Sequence, residues 1–239
     1  RKDNMDALLQ TLTNELTHTF ILSVGAFLIA MFLTPIYTFA AYRFKFWKKQ
    51  RSTSTTGEAL TVFNKLHADK FKRNIPTMAG MIFVIAIVIV TLFFNLDRRE
   101  TWLPLAALVG GAIVGLLDDV INLRGTGKGV AGLRSGLKFT IITGIGLFLG
   151  WYFFEKLGVD IIHIPFLGDW ALGWMIVPLF AFVVVAAGNA VNISDGLDGL
   201  AGGLASIALG SFGVIALLQG NPLIAGFCFT VVGALLSYL

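Results

Sequence analysis

Asn189-Ala190-Val191-Asn192-Ile193-Ser194-Asp195-Gly196-Leu197-Asp198-Gly199-Leu200 closes one apolar stretch and opens the next. An ionised carboxylate beside hydrocarbon is costly unless it meets a cation, a donor or water, so acids at membrane depth are read as functional. Two amides and two carboxylates between two blocks long enough to cross a bilayer decide both the fold class and where to look for chemistry.

Working outward, 56% of the 239 residues are hydrophobic and only 13% are charged. The mean hydropathy is +0.81, and the apolar residues come in long blocks rather than the scattered pattern of a soluble core. A bilayer core of about 30 Å needs roughly 20 apolar helical residues, fewer where helix ends lie in protein. Seven stretches qualify, near residues 20 to 42, 77 to 96, 102 to 117, 138 to 154, 174 to 192, 200 to 218 and 222 to 239. The chain is therefore expected to be all-α, a single polytopic membrane domain over residues 1–239 with seven transmembrane helices. In the short third stretch, Gly110, Gly111 and Gly115 predict close packing against a neighbour. Cys228 is the only cysteine and lies in an apolar run, so an intrachain disulfide is excluded. The chain opens on Arg1 and stops inside an apolar run at Ser237-Tyr238-Leu239, the expectation for a piece of something longer.

Basic residues set the orientation, because loops rich in Lys and Arg stay in the cytoplasm. The 43 to 76 connection carries nine of them, Lys65, Lys70, Lys72 and Arg73 included, and the 118 to 138 connection carries four, Arg124, Lys128, Arg134 and Lys138. Loops of opposite parity carry few: Arg98 and Arg99, then Lys156, then none in Gln219-Gly220-Asn221. Both basic loops are expected inside, residue 1 outside and residue 239 inside. That orientation puts the Lys70 to Gly80 segment, the Asp118-Asp119 pair and the Asn189 to Leu200 run at the cytoplasmic ends of their helices. Topology and headgroup attraction alone are the plainer explanation of most of the loop lysines and arginines.

Asp118-Asp119 falls where the third stretch is expected to meet the cytoplasm. Adjacent carboxylates repel unless a metal or several donors hold them, and a helix C-terminus disfavours them further. Mg²⁺ takes one or two carboxylates and fills its remaining positions with water and phosphate. Asp195 and Asp198 admit a plainer reading as first-turn acids that cap a helix. Gly196 and Gly199 after them, and Asn189 and Asn192 before them, favour a ligand instead. Pro76 suits a helix first turn whose free N–H groups attract an anion. Acid pairs, amides and lysines on one face describe a site for Mg²⁺ and phosphates. His18, His67 and His163 have no metal-ligand spacing, and Trp102, Trp151, Trp170 and Trp174 fall near outer span ends as an interfacial belt.

At these residues the chain resembles the polyprenyl-phosphate N-acetylhexosamine-1-phosphate transferase superfamily, and within it the phospho-N-acetylmuramoyl-pentapeptide transferases. Ile75-Pro76-Thr77-Met78-Ala79-Gly80 resembles their P-T-M-G-G segment, Val114-Gly115-Leu116-Leu117-Asp118-Asp119 their aspartate pair, and Asn189 to Leu200 their N-A-V-N-L-T-D-G-L-D-G-L run. The resemblance implies ten spans at full length in the bacterial cytoplasmic membrane, with a cytoplasmic site. It implies Mg²⁺, a UDP-N-acetylmuramoyl-pentapeptide donor and an undecaprenyl-phosphate acceptor, giving lipid I and UMP for peptidoglycan. By motif, Asp118 holds or deprotonates the acceptor phosphate with Asp119 beside it, and Asp195 completes the catalytic set. Asn192 and Asp195 line the sugar-phosphate region, Asp198 contacts uracil, Lys72 and Thr77 lie near the nucleotide, Lys138 contacts phosphate, and Asn189, Ile193 and Gly196 are further substrate-binding candidates. Asp118 and Asp195 are the metal candidates, while the family's G-D-x-G aspartate, its main metal ligand, and its histidine-rich loop would fall beyond Leu239. Ala79 stands where the family has a second glycine, and Val120-Ile121-Asn122 where it has basic residues.

A relative that uses UDP-N-acetylglucosamine is the alternative substrate reading, separable by donor competition. An ion-coupled transporter would place its acids near the bilayer midplane. An alcohol phosphatidyltransferase would carry an Ala-Arg pair after Asp195-Gly196, and an intramembrane aspartyl protease two acids facing each other within the membrane. The lipid bilayer is the expected surrounding, no nucleic-acid partner is expected, and oligomeric state is open, a homodimer included.

Overall fold

The computed structural model describes residues 2–47, 76–124, 133 and 135–239. Each of the seven apolar stretches forms a helix: α1 (Lys2–Arg43), α2 (Gly80–Phe94), α3 (Trp102–Arg124), α4 (Ser135–Glu155), α5 (Ile176–Ser194), α6 (Leu200–Leu218) and α7 (Pro222–Leu236). Five of them are long and apolar enough to cross a membrane, within Gln10–Arg43, Trp102–Leu123, Ser135–Glu155, Gly173–Ser194 and Leu200–Leu218. The chain is a polytopic helical membrane protein. With 15 residues each, α2 and α7 rise only about 22 Å, and α7 is largely packed inside protein, with Ala225–Cys228, Thr230, Val231 and Gly233–Leu235 buried.

Three boundaries differ from the sequence expectation. Helix α1 starts at Lys2 rather than near residue 20, because Lys2–Thr19 contains no Gly or Pro to stop a helix. Helix α3 runs to Arg124, past the expected end at residue 117, since Val120, Ile121 and Leu123 continue its apolar pattern. The α4–α5 connection forms a hairpin of β1 (Ile161–Ile164) and β2 (Gly168–Ala171), antiparallel, with His163 opposite Asp169 and Ile162 opposite Trp170. β-Branched Ile161, Ile162 and Ile164 favour strand, and Gly168 takes the positive φ of 85° that the turn requires.

The chain divides into two compact units. One contains residues 1–33, 82–108 and 186–239. Here α6 and α7 form a tight helical hairpin through Gln219-Gly220-Asn221, with Gly220 at φ 73° and Pro222 opening α7. A methyl on Gly213 would lie 2.7 Å from the Phe229 ring. Helix α7 also lies on α1: a methyl on Gly233 would strike the Ser23 carbonyl oxygen and come within 2.8 Å of the Ser23 hydroxyl. Asn95 closes the end of α2 by donating its amide to the Leu223 carbonyl at 2.9 Å. The α2–α3 turn is fixed by Asp97, whose carboxylate accepts the Arg99 and Glu100 N–H groups, and by Thr101, whose hydroxyl donates to the Asn95 carbonyl.

The other unit contains residues 34–81 and 109–185. Its centre is the α4–α5 crossing, where Gly146 and Gly150, four residues apart on α4, meet Ala181 and Val177, four apart on α5. Added methyls would lie 2.8 Å from the Ala181 Cα and 2.8 Å from the Val177 carbonyl oxygen. Small residues at this spacing let two backbones approach closely, which is how helices associate where no hydrophobic driving force separates them from lipid. Phe153 and Phe180 pack beside it with ring centroids 5.2 Å apart. Of the three α3 glycines expected to face a neighbour, Gly110 meets Ile145, while Gly111 and Gly115 have nothing within 4 Å among the described residues.

Candidate active site

Because α3 continues to Arg124, Asp118 and Asp119 lie on its last turns rather than in a loop beyond it. Two devices offset the unfavourable meeting of an acid with a helix C-terminus. Asp118 accepts the Leu133 N–H at 2.9 Å through one oxygen, and Lys138, in the first turns of α4, stands 3.8 Å from the other. The first ties the returning chain to the acid; the second supplies a counter-charge. Lys138 keeps 37% of its side chain exposed and Asp118 23%. An ion pair this open contributes at most about 1 kcal/mol to stability, so its juxtaposition of charges matters more for what it can bind. One turn beyond Asp118, Asn122 is a buried polar residue. Sequence reasoning noted it only as a departure from a basic position; its i+4 spacing from Asp118 carries weight only once the helix is known to continue.

Thr77 belongs to the same unit. Its N–H donates to the Phe46 carbonyl at 2.6 Å, its hydroxyl leans to the same oxygen at 3.4 Å, and the Tyr37 hydroxyl donates to its carbonyl. Thr77 is thereby pinned to the end of α1. Met78 follows at φ 68°, a left-handed conformation rare for a non-glycine residue and often found where backbone is held for a purpose. Helix α2 begins only at Gly80, so Pro76 precedes it instead of occupying its first turn.

In the other unit, Asn189, Asn192 and Ile193 lie on the last turns of α5, and all three are exposed. Ser194 ends the helix by donating its hydroxyl to the Ala190 carbonyl at 2.5 Å. Asp195, Gly196 and Asp198 occupy the turn that follows and are also exposed. Capping does not account for the two acids: the residue that starts α6 is Gly199, at φ 82°, with no side-chain cap and no acid in the first turn. The left-handed glycine turns the chain back within five residues and presents both carboxylates outside any helix.

The structure thus brings Asp118 and Lys138 together with the Leu133 N–H, anchors Thr77 separately, and gathers Asn189 to Asp198 around one turn. Lys72 lies outside the described residues. Hard carboxylate oxygens at Asp118, Asp119 and Asp195 are the donor type that Mg²⁺ takes. Among the described residues no three His, Cys, Asp or Glu cluster together.

A family profile described as glycosyl transferase family 4 matches residues 101–239, which takes in α3 to α7 and every site residue named here except Lys72 and Thr77. Among curated relatives, the phospho-N-acetylmuramoyl-pentapeptide-transferase of Chloroflexus aggregans is 31% identical over 98% of this chain and 63% of its own length. That of Geobacillus kaustophilus is 37% identical over 90% of this chain and 64% of its own. That of Listeria monocytogenes is 34% identical over 90% and 64%. The chain spans somewhat under two thirds of the length of these relatives.

Proposed function

The chain belongs to glycosyl transferase family 4, and from that premise we propose that it carries much of the site of a phospho-N-acetylmuramoyl-pentapeptide transferase. The reaction moves the phosphosugar of UDP-N-acetylmuramoyl-pentapeptide onto undecaprenyl phosphate, releasing UMP and forming lipid I for peptidoglycan. The observation that carries this reading is the Asp118 carboxylate, held by the Leu133 N–H and faced by Lys138 at the membrane-helix end that the basic loops assign to the cytoplasm. The bacterial relatives, phospho-N-acetylmuramoyl-pentapeptide-transferases, support this substrate class.

Each residue group has work suited to its chemistry. Lys138, 3.8 Å from Asp118 and partly exposed, offers an ammonium to phosphate oxygens. Asp118 is oriented by the Leu133 N–H at one oxygen, and its second oxygen, beside Lys138, serves the acceptor phosphate as hydrogen-bond partner or base. Asn189, Asn192 and Gly196 present amide and backbone groups to the sugar phosphate of the donor, with Ile193 giving apolar contact. Asp195 joins them at the phosphate, and Asp198, three residues on, takes the uracil ring. Thr77 and Lys72 border the nucleotide, Thr77 through a backbone already clamped to α1. Asp118, with Asp119 adjacent, is a carboxylate that would take Mg²⁺, and so, within its own unit, is Asp195; the ion would neutralise phosphate charge. The site faces the cytoplasm, and the bilayer supplies the polyprenyl acceptor.

The test is a thin-layer assay on membranes that carry the protein, offered radiolabelled UDP-N-acetylmuramoyl-pentapeptide and UDP-N-acetylglucosamine in parallel with undecaprenyl phosphate. Label transferred to lipid only from the muramoyl donor supports the proposal. Transfer only from UDP-N-acetylglucosamine moves the protein to the other substrate reading.

A further inference from the structure

At the end of α4 remote from Lys138, the β1–β2 hairpin is two-faced. His163 and Asp169 pair across one face at 2.7 Å, both 71% exposed. Ile162 and Trp170 pair across the other, with Ile164 beyond them. The tip, Pro165-Phe166-Leu167, is wholly apolar, and Phe166 is fully exposed while Leu167 is 67% exposed. Phe166 also sits at φ 69°, so a large side chain is held outward in a conformation that backbone sterics disfavour. Nothing in a water-facing connection calls for such a tip.

The hairpin has little freedom to leave the helix ends. Its base is pinned where the Asp160 carbonyl accepts both the Leu172 N–H at 2.8 Å and the Gly173 N–H at 3.1 Å. Beyond Leu172 the chain passes through a single 3-10 turn, Gly173–Met175, directly into α5. Four-residue strands reach about 13 Å from that base. Around it stand the exposed rings of Trp151 on α4, Trp174 in the 3-10 turn and Trp170 on β2, with the Lys156 ammonium 5.9 Å above the Trp151 ring. Amphipathic rings and a lysine at span ends are the composition of a membrane–water interface.

We propose that this hairpin is a membrane-interface anchor, lying on the leaflet opposite the Asp118–Lys138 end with Phe166, Leu167 and Trp170 among lipid and the His163–Asp169 face in water. The occupant of its apolar side is the phospholipid surface, because exposed Trp170 and Trp174, with Trp151 and Lys156 at the end of α4, are the side chains that a membrane–water interface selects. Buried tight at Gly146 and Gly150, the α4–α5 pair is then held at its far end by lipid contact rather than by protein.

The test places a nitroxide label at Phe166→Cys, Leu167→Cys and His163→Cys in turn, in a Cys228→Ser background, in the protein reconstituted into phosphatidylcholine–phosphatidylglycerol vesicles. Phe148→Cys, on an exposed mid-helix position of α4, gives the lipid reference. Collisions with oxygen report lipid, and collisions with a water-soluble nickel chelate report solvent. Positions 166 and 167 are expected to approach the reference ratio and to exceed position 163 several-fold. Nickel-dominated collisions at 166 and 167 would overturn the proposal, as would low access to both relaxants, which would mean that protein covers the tip. A second measurement needs no cysteine exchange: Phe166→Trp should raise the fraction of tryptophan emission quenched by brominated lipids, and a fall in that fraction would also overturn it.

Discussion

Gly150→Ala tests the α4–α5 crossing on which the Asp118-bearing unit is built. The added methyl would lie 2.8 Å from the Val177 carbonyl oxygen, 3.0 Å from the Phe180 Cβ and 3.1 Å from the Val177 Cα. Two of these three are backbone atoms, so the helices must separate rather than a side chain swing aside. Overpacking of this kind costs about 1 to 3 kcal/mol. The same substitution also gains up to about 1 kcal/mol of helix propensity, which blurs its absolute effect. Gly144 removes that ambiguity: it lies on the same helix with nothing within 4 Å of an added methyl, so Gly144→Ala takes the gain without the clash. The difference between the two variants isolates the steric cost. At about 2 to 4 °C per kcal/mol for a chain of this size, Gly150→Ala should melt some 2 to 12 °C below Gly144→Ala. The assay is thermal unfolding of the purified protein in one detergent at one protein concentration, followed by loss of monodisperse protein. Equal melting temperatures would refute the close approach of α4 to α5.

Cysteines placed at Ser54 and Gly127 should react with a membrane-impermeant reagent only after the cytoplasmic face is opened; labelling in intact cells would reverse the orientation drawn from the basic loops. Asp118→Asn and Asp195→Asn should each lower lipid I formation by about 10²-fold or more while leaving extractable protein, since a positioned charge at a phosphoryl-transfer site is worth several kcal/mol and a solvated one little; near-normal turnover returns the residue to a structural role. Asp198→Ala should weaken UMP binding by roughly 1 to 3 kcal/mol while Asp118→Asn leaves it nearly unchanged, as calorimetry will read; the opposite pattern would show the division of the site to be inverted.

Hydropathy made the helices legible because lipid imposes a single length and composition on every span, so α2 and α4 to α7 fall within a few residues of where the apolar blocks place them. The ends were harder to read wherever a tertiary contact decides them. Asp118 looks like a stop because an acid at a helix C-terminus is unfavourable; it ceases to be one when Leu133 and Lys138 return to meet it, and no local signal announces that return. The same holds for Thr77, whose chemistry reads as a free hydroxyl in sequence and as a backbone clamp to Phe46 and Tyr37 in structure. The break between α5 and α6 was legible because Gly196 and Gly199 interrupt the apolar run, and Gly199 supplies the left-handed backbone of the turn. The hairpin went unread, although the alternation through Ile162, His163 and Ile164 and the turn glycine at 168 were present, because four-residue strands carry too little periodicity to stand out between two spans.

The α6–α7 pair has a consequence for how the protein is made. Helix α7 is too short to bridge the hydrocarbon unaided, and the three-residue turn before it leaves no slack to wait outside while α6 settles. The two must enter the bilayer as one hairpin, and α7 is retained there by the groove on α1 that admits Gly233 against Ser23. Since Ser23 is synthesised some two hundred residues before Gly233, α1 has to remain at the insertion site, its Ser23 surface uncovered, until α7 has been delivered. Insertion of α7 is thereby coupled to α1, and a substitution that closes the seat on α1 should show itself first as α7 left outside the membrane and degraded.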